Sequence, residues 1–386
     1  MTSVPLSVLD LAPVPSGGTA ASALRDTVDL AQHVERYGYR RFWLAEHHLV
    51  PGVASSSPAV LIASVAAATR RIRVGSGAVL LGQRSPLQVA EDFGTIAQLH
   101  PDRIDLGLGR SGLAKFVELA KAALEREPSD EPVSPPEPVF VDGLPVPRTT
   151  RGGPLSRARA QRLEAHVRLL GGTAQPEYDE QVREVLAFLE GTFRDADGQE
   201  AHALTAEDAL LQVWVLGASA GPSARAAGRL GLPFVSNYHV TPSTVLESAA
   251  SYRESFEPSA RLDRPYLVVS ADVLVADDDA TAQELAKPFA GWVHDIRYGD
   301  GAQPYLTPAE ADRRTWTDPE RAVVADRLQT RIVGSPETVV ERLDVLRRVT
   351  GADELLITTI THDHQDRLRS FELLAKAWAD HPAGER

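Results

Sequence analysis

Residues 41–48, Arg41-Phe42-Trp43-Leu44-Ala45-Glu46-His47-His48, show the pattern that decides the fold. A short apolar run, which ends at Ala45, gives way abruptly to ionisable side chains. Short runs rich in aromatic and aliphatic residues are typical of strands in a parallel sheet. The stretch therefore predicts a strand that ends in a polar loop.

The same pattern recurs along the chain, where eight apolar runs alternate with segments of helical period. The other seven runs lie at residues 6–11, 72–81, 103–108, 212–216, 233–237, 266–276 and 354–360. Helical spacing is clear in residues 22–37, which end at Gly38, and in residues 59–69 and 178–189. Eight strands with helices between them predict a (β/α)8 TIM barrel, formed as a single domain by residues 1–386.

The surplus length of the chain is concentrated after the fourth strand. Residues 113–205 form a long insertion there, and we expect them to act as a lid over the active mouth. Residues from about 125 to 155 are crowded with Pro, Gly, Ser and Arg, so we expect no packed element in that part. The alternative for this arginine-rich segment is a solvated face.

The composition is that of a globular protein and excludes several kinds of chemistry. The chain has 386 residues, of which 43% are hydrophobic and 24% charged. It has no cysteine, which excludes disulfides, thiolate zinc sites, iron–sulfur clusters and thiol catalysis, so redox chemistry requires a cofactor. The net charge of −13 argues against nucleic acid as a partner. No apolar stretch approaches the roughly 18 residues of a membrane helix, and we find no signal core, so we expect a cytoplasmic protein with no membrane partner.

In a barrel of this kind the chemistry lies where the strands end, and two of these places favour an anion. The run from Gly217 to Ser223 combines small residues with a following helix, so backbone N–H groups can approach a phosphate. Arg110, at the end of the preceding strand, can contact the same phosphate through its guanidinium group. Close packing of a strand against a helix is the alternative reason for the small residues.

The third strand contains Gly75-Ser76-Gly77-Ala78, an unusual sequence for a strand interior. Glycine weakens a strand and is tolerated where something flat or bulky approaches the backbone. A bulge that curves the barrel would explain the same residues.

Histidines follow three of the strands. His47 and His48 are neighbours, so only one of them can easily face the barrel mouth. A histidine at that place can act as a general base, because its pKa is close to neutral. A metal site is the competing interpretation and would use residues from several strand ends, but these lack a recognisable ligand spacing, and we expect no metal. The residues concerned are Glu46, His47, His239, His362, Asp363 and His364.

Four stretches together resemble the bacterial luciferase-like flavin-dependent monooxygenases. They are residues 43–48 (WLAEHH), 73–80 (RVGSGAVL), 85–93 (SPLQVAEDF) and 101–110 (PDRIDLGLGR). Residues 217–233 and the last strand and helix, with Arg367, Arg369 and Ser370, continue the likeness. The resemblance covers most of the chain in order and leaves mainly residues 113–205 unmatched.

The resemblance implies a barrel that binds reduced FMN at its C-terminal mouth and uses dioxygen. By position, Arg110 resembles the family's phosphate-binding arginine. The phosphate loop after the fifth strand corresponds to Ser219, Ala220, Gly221 and Ser223.

The same resemblance assigns the flavin ring and the catalytic base. Gly77-Ala78, with Ser76 before it, matches the place where relatives have a non-prolyl cis peptide beneath the flavin ring. His47 matches the position of the family's catalytic histidine. The remaining polar residues at the strand ends are expected on the substrate side, namely His48, Asn237, His239 and His362.

From this likeness we expect a monooxygenase that acts on paired donors and transfers one oxygen atom of O2 to a small organic substrate by way of a flavin C4a-peroxide. Reduced FMN would come from a separate flavin reductase, and the family resemblance suggests a homodimer. The protein contributes orientation and exclusion of water, since the flavin performs the redox chemistry.

Three alternatives stay open. An F420-dependent oxidoreductase on the same barrel would transfer hydride and ignore oxygen. A flavin-binding relative without catalysis would act as a storage or partner protein, and a metal-dependent hydrolase would contain stoichiometric zinc. Many relatives also have a longer Gly/Pro-containing continuation after the arginine, whereas here Ser111-Gly112-Leu113 runs directly into a predicted helix. The substrate therefore stays open.

Overall fold

The chain folds into a closed barrel of eight parallel strands, which confirms the predicted (β/α)8 TIM barrel. The computed structural model describes residues 4–110, 139–148, 169–170 and 177–381. Numbered in chain order, the barrel strands are β1 (Leu6–Asp10), β2 (Arg41–Leu44), β3 (Arg73–Ser76), β5 (Ile104–Gly109), β8 (Leu211–Gly217), β9 (Phe234–Asn237), β10 (Leu267–Val275) and β12 (Glu354–Thr358). The barrel closes because β1 pairs with both β2 and β12, and β10 joins β12 to β9.

Helices cover the outside of the barrel and part of its carboxyl end. Within the described residues they are α1 (Ala20–Tyr37), α2 (Pro58–Ala68), α3 (Pro86–Leu99), α4 (Tyr178–Leu189), α5 (Pro222–Arg229), α6 (Val245–Glu254), α7 (Asp279–Ala286), α8 (Pro288–Tyr298), α9 (Pro308–Ala311), α10 (Asp318–Thr330), α11 (Pro336–Thr350) and α12 (His364–Asp380). None of them is both long enough and apolar enough to cross a bilayer.

Local sequence signals explain where the helices begin and end. The side chain of Thr19 accepts the backbone N–H of Ser22 in a capping box at the start of α1, and Gly38 ends that helix with a φ of 87°. Ser85 caps α3 in the same way, and Pro86 occupies its first turn, where no N–H is needed. The predicted end of the first helix at Gly38 is confirmed.

The third apolar run is not one strand, as predicted, but two. After β3, the cis peptide bond between Gly77 and Ala78 interrupts the extended chain, which continues as β4 (Val79–Leu80). Strand β4 pairs with the end of β5. Strands β3 and β4 therefore both pair with β5, and the turn at Gly77-Ala78 separates them.

The prediction of no packed element in residues 125–155 is wrong for residues 140–145. These form a hairpin of β6 (Phe140–Val141) and β7 (Leu144–Pro145), whose turn is Asp142-Gly143 with positive φ at both residues. Leu144 is 2% exposed. An Asp-Gly pair between apolar residues is a hairpin signal that composition alone concealed.

The predicted lid role of residues 113–205 falls mainly outside the described residues and stays a prediction. Within that span, α4 packs against α3 in the barrel wall.

Residues 277–331, which we call the cap, cover part of the barrel mouth and were not assigned any element from the sequence. They contain α7 to α10, and β11 (Ile332–Gly334) follows them beside β10. Aromatic residues of the cap, Phe289 and Trp292 among them, pack with Leu9 and Ile360 of the barrel. Arg327 of α10 also donates to Asp272 of β10 at 2.8 Å. An apolar contact and a buried ion pair therefore hold the cap against the barrel.

The amino end of the barrel is closed by a buried network of charges. The guanidinium of Arg41 lies 2.7 Å from Asp105 and 3.0 Å from Glu354, and all three side chains are at most 2% exposed. Trp43 Nε1 donates to Asp105 at 2.9 Å, and Ser7 Oγ donates to Glu354 at 2.5 Å. Because these groups satisfy one another, they stabilise the end of the barrel opposite to the site.

Candidate cofactor and active site

A cavity of about 270 Å³ opens at the carboxyl ends of the strands. Apolar residues of four barrel strands line one part of it, and polar residues that follow the strands line the other. It brings together most of the residues predicted to bind a cofactor or substrate. Those that line it are Gly77, Ala78, Arg110, Ser219, Ser223, Asn237 and His239.

One end of the cavity is suited to an anion. Strands β5 and β8 are neighbours with Gly109 opposite Leu216, so Arg110 lies beside the turn that precedes α5. The N-cap of this helix is Gly221, and amides of a first helical turn have no partner within the helix. Ser219 is exposed and Ser223 is buried at this turn. A guanidinium group, two hydroxyls and a positive helix terminus therefore converge here, as a phosphate requires.

The turn is held in place from its outer side. Thr244 Oγ1 donates to the carbonyl of Ala218 at 2.5 Å, and Arg225 Nη1 donates to the carbonyl of Ala220 at 2.8 Å. Ala220 and Gly221, both predicted as cofactor contacts, form the turn itself and are not among the described residues that line the cavity.

Another part of the cavity lining is apolar. Gly77 and Ala78 form one side, and Leu9, Val235 and Leu356 line the space next to them. A Cβ on Gly77 would lie 2.8 Å from Leu9 Cδ1, so a larger residue at this position would displace the cavity wall. The peptide between Gly77 and Ala78 is cis, as the family resemblance implied. This part of the cavity offers apolar contacts to a ligand.

Two residues of the same strand serve strand packing. Ser76 Oγ donates to the carbonyl of Gly107 and accepts its N–H, both at 2.9 Å, so this predicted cofactor contact is buried between β3 and β5. A Cβ on Gly75 would lie 2.2 Å from the carbonyl oxygen of Asp105. Gly75 is therefore required by the neighbouring strand, and only Gly77 borders the cavity.

His47 lies at the mouth of the barrel. The residue is exposed, it is not among the described residues that line the cavity, and its backbone N–H donates to the carbonyl of Ser55 at 2.9 Å. Desolvation by nearby protein atoms, helped by the charge of His48, lowers its pKa to about 4. A neutral imidazole at physiological pH can accept a proton from a reacting group.

His239 lines the cavity and is held by a residue that sequence reasoning missed. Its Nδ1 lies 2.7 Å from Ser270 Oγ of β10. Desolvation lowers its pKa to about 4, with Asp272 opposing the shift and Arg327 adding to it. The charge of His47 also lowers this pKa. The inward alternation of Ser270 and Asp272 along β10 is the sequence signal that could have found them.

Asn237, the third predicted residue at this end, also lines the cavity. Its Oδ1 accepts the backbone N–H of Val240 at 2.9 Å. The side chain therefore caps the turn that carries His239.

His48 and His362, which were predicted on the substrate side, are bound to protein groups instead. His48 Nε2 lies 3.0 Å from Glu46, and His362 Nε2 lies 3.1 Å from the carbonyl of Ser16. Neither is among the described residues that line the cavity. A neighbour two residues away in sequence holds His48, and a residue 346 positions away holds His362.

The proposed metal ligands are scattered in the same way. His364 lies 2.8 Å from Asp29, and Asp363 caps α12 by accepting the N–H of Gln365. Within the described ranges, no group of three or more His, Cys, Asp or Glu side chains could hold a metal ion.

Comparisons with known proteins place the chain in a family. The model of the luciferase-like monooxygenases matches residues 4–129 and 143–354. A protein of Escherichia coli K12 named luciferase-like monooxygenase is 34% identical over 372 residues, which cover 96% of each chain. The crystal structure of apo-MsnO8 is 32% identical with a TM-score of 0.77, and the match covers 98% of this chain and 99% of that one.

More distant structures share the fold with different cofactors. The oxygenating constituent of 3,6-diketocamphane monooxygenase from Pseudomonas putida, in complex with FMN, has a TM-score of 0.62 at 18% identity and covers 98% of both chains. An F420-dependent secondary alcohol dehydrogenase has a TM-score of 0.59 at 13% identity, over 98% of this chain and 100% of that one. With the family model matching most of its length, the chain belongs to the luciferase-like monooxygenase family.

Proposed function

We propose that the protein is an FMN-dependent monooxygenase that uses reduced FMN and O2 to oxygenate a small organic substrate. One observation supports this most: a single cavity is lined both by Arg110 with the turn before α5, which suit an anion, and by Gly77-Ala78 with the apolar residues Leu9, Val235 and Leu356. FMN has a phosphate at one end and a planar ring system at the other. The FMN complex among the structures of the same fold supports the same assignment.

The residues present fit this cofactor. Arg110, Ser219 and Ser223 would hold the phosphate, and Gly77-Ala78 would lie against the ring. When bound, reduced FMN supplies two electrons to O2, so that one oxygen atom enters the substrate and the other leaves as water. Leu9, Leu216, Val235 and Leu356 exclude water from the ring end.

Two histidines would handle protons next to this cavity. His47 is neutral because of its lowered pKa, so its ring can take up a proton at the mouth. His239 is held through Nδ1 by Ser270, which directs the rest of its ring to the cavity that it lines. We assign His47 as the general base and His239, with Asn237, to the substrate side.

Partners follow from this chemistry. The small substrate and O2 enter the cavity, and a separate flavin reductase supplies the reduced FMN.

The proposal also includes a second copy of the chain. Helix α2 has no charged residue in its 11 positions, yet its outer face is open and Val60 is 68% exposed. An uncharged outer face formed by Val60, Ser64 and Ala67 is expected to be covered, and we assign α2 to a homodimer interface.

Cofactor binding by the purified protein tests the proposal. We expect FMN to bind at least about tenfold more tightly than riboflavin, because only FMN has the phosphate. Replacing Arg110 by Ala should weaken FMN binding about 10- to 100-fold and leave riboflavin binding unchanged. Flavin fluorescence titration measures both, with Arg194→Ala, on an exposed turn, as the control.

The same titration separates the alternatives. Tight binding of F420 with weak binding of FMN would favour hydride transfer and contradict the proposal. If FMN binds but no member of a substrate panel gives an oxygenated product with reduced FMN and O2, the non-catalytic alternative is favoured.

A further inference from the structure

A buried polar cluster lies beside the cavity, centred on the carboxylate of Glu46. Its side chain is 0% exposed. Oε2 accepts the backbone N–H of Leu80 at 2.8 Å. Oε1 accepts Arg84 Nε at 3.0 Å and Nη2 at 2.8 Å, and lies 3.0 Å from His48 Nε2. Both oxygens of a buried carboxylate are therefore engaged, as its burial requires.

These contacts join the two segments that flank the candidate site. Glu46 directly precedes His47, in the loop after β2. Leu80 comes two residues after Ala78, in the segment that follows the cis peptide. The carboxylate thus connects the loop of the predicted base to the backbone that borders the apolar part of the cavity.

The loop is also held on its other side. The N–H of His47 donates to the carbonyl of Ser55, and Ser55 Oγ donates to the carbonyl of Ala45. The backbone of His47 is therefore fixed between a carboxylate and a backbone contact, although the residue is exposed. Such fixing matters because a shift of about 1 Å in a reacting group can cost about 100-fold in rate.

We propose that Glu46 is a positioning residue that holds the His47 loop at the barrel mouth by tying it to Leu80 and Arg84. The inference rests on the proposed role of His47. It also explains why His48 follows the base without lining the cavity, since His48 supplies one of the donors to Glu46.

The proposal has a signature that simple electrostatics would not produce. The negative charge of Glu46 raises the pKa of His47, whereas desolvation lowers it. If Glu46 acted only through its charge, Glu46→Gln would lower that pKa further. If Glu46 positions the loop, the same change lets the His47 ring move away from the protein atoms that desolvate it, and its pKa rises from about 4 toward the ordinary value of 6.5.

Imidazole NMR of 15N-histidine-labelled full-length protein measures this directly. The His47 signal is assigned by its loss in His47→Asn, and the protein is titrated without cofactor between pH 7.5 and 5.0. We expect His47 to stay neutral at pH 5.5 in the wild type and to be at least about half protonated in Glu46→Gln. Arg84→Gln, which leaves the charge of Glu46 in place, should move His47 in the same direction. Asp344→Asn removes a carboxylate paired with Arg347 on α11 and serves as the control.

Oxidised FMN provides an independent readout. We expect its affinity to change less than about threefold in Glu46→Gln, because the phosphate contacts lie elsewhere. A folded Glu46→Gln variant in which His47 remains neutral at pH 5.5 would overturn the proposal. If Glu46→Gln does not fold, Arg84→Gln decides in the same way. Failure of the wild type to bind FMN would overturn the proposed function instead, while the NMR comparison would still report on Glu46.

Discussion

The two imidazole rings at the mouth, those of His47 and His239, show how the fold sets the chemistry of single residues. Both have a pKa lowered to about 4, and desolvation is the main cause in each. Neither neighbouring carboxylate reverses the shift, because Glu46 and Asp272 are themselves engaged by arginines. The barrel therefore provides two uncharged rings at neutral pH.

His47 is the residue whose removal should affect turnover most. We expect His47→Ala to reduce formation of the oxygenated product from an accepted substrate by about 100-fold or more, which is the usual contribution of a general base. FMN affinity should change little, because the phosphate contacts are separate. Turnover and FMN titration measure the two effects, and His202→Ala, at an exposed position, is the control. Unchanged turnover would remove His47 from the mechanism.

The low pKa of His239 also predicts how stability changes with pH. Between about pH 6.5 and pH 4 the unfolded chain binds a proton at this position and the folded protein does not, so the free energy of unfolding falls as the pH falls. We expect the wild type to lose about 1 kcal/mol more than His239→Asn between pH 7 and pH 5. Urea unfolding at both pH values measures this, with His202→Asn as the control. Parallel curves for the wild type and His239→Asn would contradict the prediction.

At the scale of elements, the contact between β3 and β5 sets the shape of the cavity floor. Ser76 exchanges two hydrogen bonds with Gly107, and a Cβ on Gly107 would lie 2.0 Å from the carbonyl oxygen of Ser76. The strands approach this closely just before the turn at Gly77-Ala78. The position of that turn therefore depends on glycine in the neighbouring strand.

Gly107→Ala should consequently disturb both stability and the site. We expect the free energy of unfolding to fall by about 3 kcal/mol, because the added carbon meets backbone that cannot move aside. FMN affinity should fall as well, since β3 leads into the ring end of the cavity. Thermal unfolding and FMN titration measure the two effects. Gly198→Asn, in an exposed turn with a φ of 81°, is the control and should be tolerated. A variant as stable as the wild type would show that β3 and β5 can separate without cost.

At the scale of the whole molecule, we expect the outer face of α2 to pack against a second copy of the chain. Val60→Asp places a charge at the centre of this uncharged helix, and we expect it to convert a dimer to a monomer because a buried unpaired charge is costly. Sedimentation or light scattering at several concentrations measures the mass. Leu204→Asp, at a position that is 89% exposed and lies outside α2, is the control. A wild type that is already monomeric at high concentration would contradict the homodimer proposal.

Much of the barrel was predictable because strand and helix signals are local. The runs at residues 41–45, 103–108 and 354–360 became β2, β5 and β12 with bounds shifted by at most two residues. Gly38 ended a helix, as its conformational freedom predicts. The cap and the hairpin at Asp142-Gly143 were missed, because their burial comes from contacts with the barrel and with Tyr238, whose hydroxyl donates to Pro145 at 2.7 Å.

The sequence by itself determined the barrel, the order of its strands and the strand ends at which Arg110, Gly77 and His47 lie, because periodicity and turn residues act over short distances along the chain. Only the tertiary structure decided which polar side chains face the cavity. Ser270 holds His239 there, while Glu46 binds His48 and Ser16 binds His362 away from it. These partners are separated by up to 346 residues. The reason is physical: a buried polar group must find a partner, and the partner that the fold brings near determines where the side chain points.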